Sequence, residues 1–148
     1  MSNFEPTVVS FLCQWCSYGA ADAAGSQRKP HPPNVKIVRV MCSGQVDPQF
    51  VLKAFVQGAD GVMVLGCHPG DCHYHEGNYQ ALKRFRLMRR LLAQLGIEEA
   101  RLVLEWVSKG EADKFVALTT QTVELVRRLG PLGLGVGAGK LVDSTICR

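Results

Sequence analysis

The segment Gly61-Val-Met-Val-Leu65 decides the fold, because it is a short run that is apolar at every position. Such a run predicts a strand that is buried on both faces, as in a parallel sheet covered by helices. Three further runs rich in apolar and β-branched residues predict strands of the same kind. The predicted strands are Thr7–Leu12, Val35–Met41, Gly61–Leu65 and Arg101–Trp106.

A helical pattern follows each predicted strand. Asp47-Pro48 fits a helix start, with Asp as the N-cap and Pro at the first helical position, and Gly58 ends that helix. The clearest pattern is Asn78–Leu95, where an apolar stripe recurs every three or four residues until Gly96. That stripe consists of Ala81, Phe85, Met88, Leu92 and Leu95, and the other helical segments are Ala20–Ala24 and Glu111–Leu129.

Strands that alternate with helices predict an α/β fold with a parallel sheet and helices on both faces. We expect a small flavodoxin-like sheet of about four strands in the order 2-1-3-4. A split α/β sheet with other connectivity also fits this pattern. The predicted domain is 1–130, and 131–148 is a glycine-rich C-terminal tail.

The composition makes the six cysteines the unusual feature. The chain has 148 residues, of which 47% are hydrophobic and 20% charged. A chain of this size buries a core without staples, which excludes a disulfide-dependent mini-domain, a disordered tail and a fibrous repeat. Without a secretory pattern or an apolar run long enough to span a bilayer, we expect a cytoplasmic protein with reduced thiols. Clustered cysteines there are more often metal ligands or redox groups than disulfides.

The cysteines coincide with the ends of the predicted strands. Cys13, Cys42 and Cys67 each come just after a strand. In the order 2-1-3 these strands are neighbours, and their carboxyl ends form the edge where open parallel sheets bind ligands. Cys16 lies at the start of the first helix, where the positive end of the helix dipole favours a thiolate, and the Pro69-Gly70 turn brings Cys72 back.

This sulfur-rich edge has several interpretations. Sulfur-only clusters suit iron–sulfur or zinc, and the Cys13-x2-Cys16 pair alone resembles a thioredoxin-like dithiol. Zinc could use a mixed set of Cys67, His68, Cys72 and His73, whereas loop histidines, including His75, more often bond to backbone. We assign no chemistry to the nearby acids, to the nearby aromatic residues or to the tail cysteine. These residues are Asp22, Asp71, Glu76, Trp15, Tyr18, Tyr74 and Cys147.

The formal charge is uneven, with a net of −1 over 1–80 and +5 over 81–148. Five cations in eight residues lie on the third predicted helix. They form a solvated helix face or a docking face for an acidic partner. No surface aromatic residues interleave with them, so we expect no nucleic-acid binding. These cations are Lys83, Arg84, Arg86, Arg89 and Arg90.

Several unusual blocks resemble the methyl-viologen-reducing hydrogenase delta subunit family, also known as the iron–sulfur D subunits of non-coenzyme-reducing hydrogenases. The resemblance covers roughly 5–130 and preserves the order of the blocks. The blocks are Cys13-Gln-Trp-Cys16-Ser-Tyr, Arg39-Val-Met-Cys42-Ser-Gly-Gln-Val-Asp-Pro48, Lys53-Ala-Phe-Val-Gln-Gly-Ala-Asp-Gly61, Gly66-Cys-His-Pro-Gly-Asp-Cys-His-Tyr-His75 and Gly77-Asn-Tyr79.

The resemblance implies a non-catalytic electron-transfer protein with one 2Fe–2S cluster. It implies a relay between a hydrogenase or formate dehydrogenase and the flavin-containing A-type component of heterodisulfide reductase, within an electron-bifurcating complex. The family's cysteines fall on five positions here, one more than a cluster needs. Strand-end geometry favours Cys13, Cys42, Cys67 and Cys72 as ligands, with Cys16 beside the cluster or as an alternate ligand.

Overall fold

The computed structural model describes residues 3–134, and in this range strands and helices alternate from β1 to α4. Short 3-10 turns, Ser43–Gln45 and Glu99–Arg101, precede α2 and β4. The glycine-rich tail and Cys147 fall largely or wholly within 135–148, outside the described range. The elements are β1 Val8–Cys13, α1 Ser17–Ser26, β2 Val35–Val40, α2 Pro48–Val56, β3 Gly61–Gly66, α3 Gly77–Gln94, β4 Leu102–Trp106 and α4 Ala112–Leu129.

The sheet has four parallel strands in the order β2-β1-β3-β4, which confirms the predicted α/β fold and strand order. Phe11 of β1 pairs with Val38 on one side and Val64 on the other, so the three strands end at about the same level. Consequently, the chain segments that leave β2, β1 and β3 start side by side.

Helices pack on both faces of the sheet. On one face α1 and α4 cover the β1 and β3 side chains Leu12 and Leu65, with Phe115 of α4 at the centre. On the other face α2 and α3 cover Phe11 and Val64, which alternate with the first set along the strands. The two apolar clusters explain why β3 is apolar at every position.

The predicted start of α2 at Asp47-Pro48 and the predicted ends of α2 and α3 at Gly58 and Gly96 are confirmed. The Asp47 carboxylate accepts the backbone N–H of Gln49 at 2.8 Å and thereby caps α2, with Pro48 at the first helical position. Gly58 and Gly96 follow α2 and α3 with φ of +107° and +78°, a backbone conformation that favours glycine. The first helix is longer than the predicted turn Ala20–Ala24.

Two details of the predicted core are wrong. Leu95 lies at the end of α3, where the helix leaves the sheet, and its side chain is 54% exposed instead of joining the core stripe. The edge strand β2 is largely uncovered, because α2 packs over its neighbours, and Ile37 and Val38 are exposed. The helices therefore cover both faces of the inner strands but only part of this edge.

Arg101, just before β4, is a buried cation at the end of the sheet opposite the cysteines. Its side chain is 1% exposed and binds the carboxylate of Glu98 through Nε at 2.5 Å. Its Nη atoms donate to the carbonyls of Asp60, at 3.0 Å, and Gly130, at 2.9 Å. The guanidinium thus satisfies carbonyls at the C-terminal end of α4, where a cation also opposes the helix dipole.

Candidate metal centre

The carboxyl ends of three adjacent strands gather the cysteines, as the sequence predicts. Cys13 is the last residue of β1, Cys67 directly follows β3, and Cys42 follows β2 by two residues. Cys16 is the residue just before α1, and Cys72 lies in the loop between β3 and α3. All five side chains are buried, none more than 8% exposed, and together they form one contiguous cluster.

The five sulfur atoms form a group of three and a pair. The Sγ atoms of Cys13 and Cys67 are 3.6 Å apart, and Cys16 joins them with all three within 4.8 Å of one another. On the other side, Cys42 and Cys72 have their sulfurs 3.9 Å apart. Among residues 3–134, the group of three is the one such set of His, Cys, Asp and Glu side chains that meets this mutual distance.

The neighbours of Cys16 oppose the thiolate that the helix dipole favours at this position. The neighbouring Cys16 thiol lowers the pKa of Cys13 to about 6, with help from the nearby backbone N–H groups of Trp15 and Ser43. The same contact with Cys13, followed by burial, raises the pKa of Cys16. Burial also raises the pKa of Cys42, and that of Cys67 to about 11. Among these thiols, the contacts of Cys13 are the ones that favour a thiolate.

Two polar residues with no role predicted from the sequence hold the cysteine-bearing loops. The Ser17 hydroxyl accepts the backbone N–H of Cys13 at 2.8 Å and donates to the carbonyl of Leu65 at 2.6 Å, joining the ends of β1 and β3. The side-chain amide of Asn78, 1% exposed, donates to the carbonyls of Cys67 and His68. In the sequence, the signal that could have identified these two residues is their position beside the cysteine-rich blocks.

Two glycines let the backbone approach the sulfurs. A Cβ at Gly77, the first residue of α3, would lie 2.0 Å from the Sγ of Cys42 and 3.1 Å from that of Cys72. A Cβ at Gly44 would lie 2.7 Å from the carbonyl oxygen of Gly77. The Gly44 N–H also points to the Cys42 sulfur, at 3.4 Å. Only glycine fits both positions without a shift of the Cys42 side chain or of the Gly77 backbone.

The loop histidines have partners other than the sulfurs. His68 Nε2 lies 2.6 Å from a carboxylate oxygen of Glu111, which Ser108 also binds, and the pKa of Glu111 is lowered to about 2 by Ser108 first and then by His68. His73 stacks on Trp15 with centroids 3.8 Å apart. The carboxylates considered from the sequence, Asp22, Asp71 and Glu76, are exposed, as is His75.

An aromatic group connects two of the cysteine-bearing segments at the surface. Trp15 lies between Cys13 and Cys16 in the chain, and it stacks on His73, the residue after Cys72. Trp15 Nε1 also donates to the hydroxyl of Tyr74 at 3.4 Å. Both Trp15 and Tyr74 remain nearly half exposed. The group therefore ties the segments together and also presents an aromatic surface.

A surface cleft of about 400 Å³ reaches Cys42 of the second thiol pair. Met41 and Tyr74, 46% exposed each, stand at its walls, whereas Cys42, also part of the lining, is 4% exposed. The remaining lining residues are Gly44, Gln45, Glu76, Gly77 and Gln80. Cys42 is thus the clustered thiol that lines this cleft.

Known proteins resemble the chain over most of its length. The family described as "Methyl-viologen-reducing hydrogenase, delta subunit" matches 8–130. The iron–sulfur D subunit of the F420-non-reducing hydrogenase of Archaeoglobus profundus is 55% identical over 129 residues, 87% of this chain and 94% of that protein. The iron–sulfur D subunit of the F420-non-reducing hydrogenase vhc of Methanococcus voltae is 47% identical over 94% of this chain and 96% of its own length.

A third relative differs in size. The A subunit of the ferredoxin:CoB-CoM heterodisulfide reductase of Methanosarcina mazei is 41% identical over 86% of this chain, but the match spans only 16% of that longer protein. In the described residues, no helix is long and apolar enough to cross a membrane. The family match covers most of the chain, including all five clustered cysteines. The chain therefore belongs to the methyl-viologen-reducing hydrogenase delta subunit family.

Proposed function

We propose that the chain is an electron-transfer protein that holds one 2Fe–2S cluster through Cys13, Cys42, Cys67 and Cys72. The observation that carries this proposal is the burial of five thiols at one edge of the sheet, with two close sulfur pairs. Thiolates are the usual ligands of iron–sulfur clusters, and four of them complete the two irons. The remaining thiol, Cys16, would lie beside the cluster.

The spacing of the sulfurs fits this donor set. A tetrahedral metal with metal–sulfur bonds of about 2.3 Å, as in zinc thiolate sites, places two ligand sulfurs about 3.8 Å apart. The sulfurs of Cys13 and Cys67 are 3.6 Å apart, and those of Cys42 and Cys72 are 3.9 Å apart. Each pair therefore has the separation expected of two thiolates on one metal atom.

Two pairs favour a binuclear cluster over a single zinc ion. One tetrahedral zinc needs four donors that are all mutually close, but the close group in residues 3–134 contains only Cys13, Cys16 and Cys67. Histidine does not complete it, because His68 binds Glu111 and His73 stacks on Trp15. A thiol oxidoreductase using Cys13 and Cys16 is disfavoured because these thiols are 1% and 6% exposed.

The chain's own residues would protect the bound group and direct its exchange of electrons. A 2Fe–2S cluster, when bound, supplies reversible one-electron transfer. The five buried cysteines exclude water from the site, and the N–H of Gly44 at the Cys42 sulfur stabilises a thiolate there. The cleft at Cys42, between Met41 and Tyr74, is the proposed face for a redox partner.

The relatives' names support the proposed partners. They name iron–sulfur components of hydrogenases and the A component of a heterodisulfide reductase. We infer a relay in the cytoplasm between a hydrogenase or formate dehydrogenase and a flavin-containing protein of the heterodisulfide reductase A type, within an electron-bifurcating complex. The chain would carry electrons between these partners without catalysing a reaction on a substrate of its own.

Anaerobic purification with iron, sulfide and zinc analysis tests the cluster. We expect two irons and two labile sulfides per chain and an EPR signal after reduction, whereas zinc without sulfide would overturn the proposal. Single Cys→Ser variants test the ligand set, with Cys147→Ser as the control. Variants at the four proposed ligands should lose or alter the cluster signal, and Cys16→Ser should keep it. Loss at Cys16 with retention at one of the four would refute this ligand set.

A further inference from the structure

The solvent side of α3 carries a stripe of leucines that the described fold leaves uncovered. Leu87, Leu91 and Leu95 are 63%, 36% and 54% exposed. Their spacing of four residues places them on one flank of the helix. They border the buried face formed by Met88 and Leu92. Three exposed leucines in one line form an apolar surface instead of the scattered apolar residues normal on a protein surface.

A row of cations accompanies this stripe. Two of the five basic residues have partners within the fold, since Arg84 donates to the carbonyl of Gly44 and Arg89 binds Glu99 at 2.7 Å. The other three lie on one side of the leucines and form no ion pair with any residue in 3–134. They are Lys83, Arg86 and Arg90.

We propose that this flank of α3 docks an acidic amphipathic helix of a partner protein. A line of leucines one turn apart accepts the apolar stripe of a second helix, as in helix-in-groove recognition. The unpaired cations would then face carboxylates at the edge of that helix. A second copy of the chain does not suit this surface, because the two cation rows would repel each other.

The docking flank is separate from the proposed electron-exchange cleft. Helix α3 begins at Gly77, beside the sulfurs of Cys42 and Cys72. Leu87 is ten residues further along, about 15 Å at the rise of an α-helix. A partner could therefore be anchored through α3 while the cleft stays open to a redox centre. The docking proposal does not depend on the presence of a cluster.

The test measures binding of synthetic helices to the purified full chain by fluorescence anisotropy. The acidic probe is as long as α3 and carries leucines on one stripe and glutamates beside it, and the control probe has lysines in place of those glutamates. The variants are Leu87→Ser/Leu91→Ser and Arg86→Glu/Arg90→Glu. The control variants are Ile37→Thr and Lys36→Glu, exposed positions on the opposite edge strand β2.

We expect the acidic probe to bind and the lysine probe not to bind. The leucine variant should weaken binding at least about tenfold, from the loss of apolar burial. The charge variant should reverse the preference between probes, and the β2 variants should leave it unchanged. Equal binding of both probes, no effect of the α3 variants, or preferential binding to vesicles of phosphatidylserine and phosphatidylcholine would overturn the proposal. Thermal melts and the cluster absorbance identify variants that fail to fold.

Discussion

Gly77 is the residue whose substitution tests the geometry of the centre most directly. Gly77→Ala adds a Cβ that would lie 2.0 Å from the Cys42 sulfur and 3.1 Å from the Cys72 sulfur. The first distance is well inside any non-bonded contact, so Cys42 or the start of α3 must move. Movement of Cys42 changes the 3.9 Å separation between its sulfur and that of Cys72. We therefore expect the variant to lose most of its cluster.

Two effects of opposite sign act on the stability of this variant. Alanine is a better helix residue than glycine by about 0.5–1 kcal/mol. Forcing an extra carbon into a packed site costs about 1–3 kcal/mol. The contact is severe and involves the buried side chain of Cys42, so we expect the cost to win and the free energy of unfolding to fall by about 1–2 kcal/mol.

Gly25→Ala is the matched control. Gly25 also lies in a helix, α1, but a Cβ there meets no atom within 4 Å. This variant should keep its cluster and gain about 0.5–1 kcal/mol. Iron and sulfide content, visible absorbance and urea unfolding compare both variants with the parent chain. If Gly77→Ala keeps a full cluster and gains stability as Gly25→Ala does, the close approach of α3 to the sulfurs is refuted.

Four further substitutions test other parts of the fold, each by urea unfolding. Arg101→Met should cost about 2–4 kcal/mol, because it leaves the partly buried carbonyls of Asp60 and Gly130 and the carboxylate of Glu98 without their buried partner. In contrast, Arg89→Met, at an exposed ion pair, should cost less than about 1 kcal/mol. Asp47→Ala should cost about 1 kcal/mol through loss of the α2 cap. The pKa of Glu111, lowered to about 2, gives stability that is present above the unfolded value near 4.5 and is lost as the pH falls toward 2. Glu111→Gln should flatten this acid dependence, and an unchanged pH profile would count against the pairing with Ser108 and His68.

The parallel sheet was predictable because its physical causes are local. An apolar run such as Gly61–Leu65 can only be buried on both faces, and the helices between strands impose parallel connections. The exposed edge was not predictable in this way, because β2 is as β-branched as the inner strands. Its exposure depends on where α2 packs, which is a property of the assembled layers.

The candidate site was likewise predictable only in part. Strand ends are visible in the sequence, so the meeting of Cys13, Cys42 and Cys67 followed from the strand order. The pKa shifts of these thiols could not be predicted in this way, because they depend on which sulfurs contact one another in the fold. The sequence shows only that Cys16 lies at a helix start, where the dipole favours a thiolate. In the fold, the contact with Cys13 is the larger influence on the pKa of Cys16. The role of Gly77 is likewise a matter of tertiary distance.

The relatives suggest why the centre is built from one small sheet. The region similar to this chain makes up 94% of the Archaeoglobus profundus hydrogenase protein but 16% of the Methanosarcina mazei heterodisulfide reductase protein. A unit that occurs in both settings needs its ligands within itself, and here all five clustered cysteines come from 13–72. If the proposed electron-transfer role and docking flank are correct, a partner would have to supply only a redox centre near the cleft and a docking contact. In a longer protein that contains this unit, covalent linkage would hold the unit near its partner at a high effective concentration and would replace much of the docking affinity. The uncovered flank of α3 would therefore matter most for binding where that link is absent.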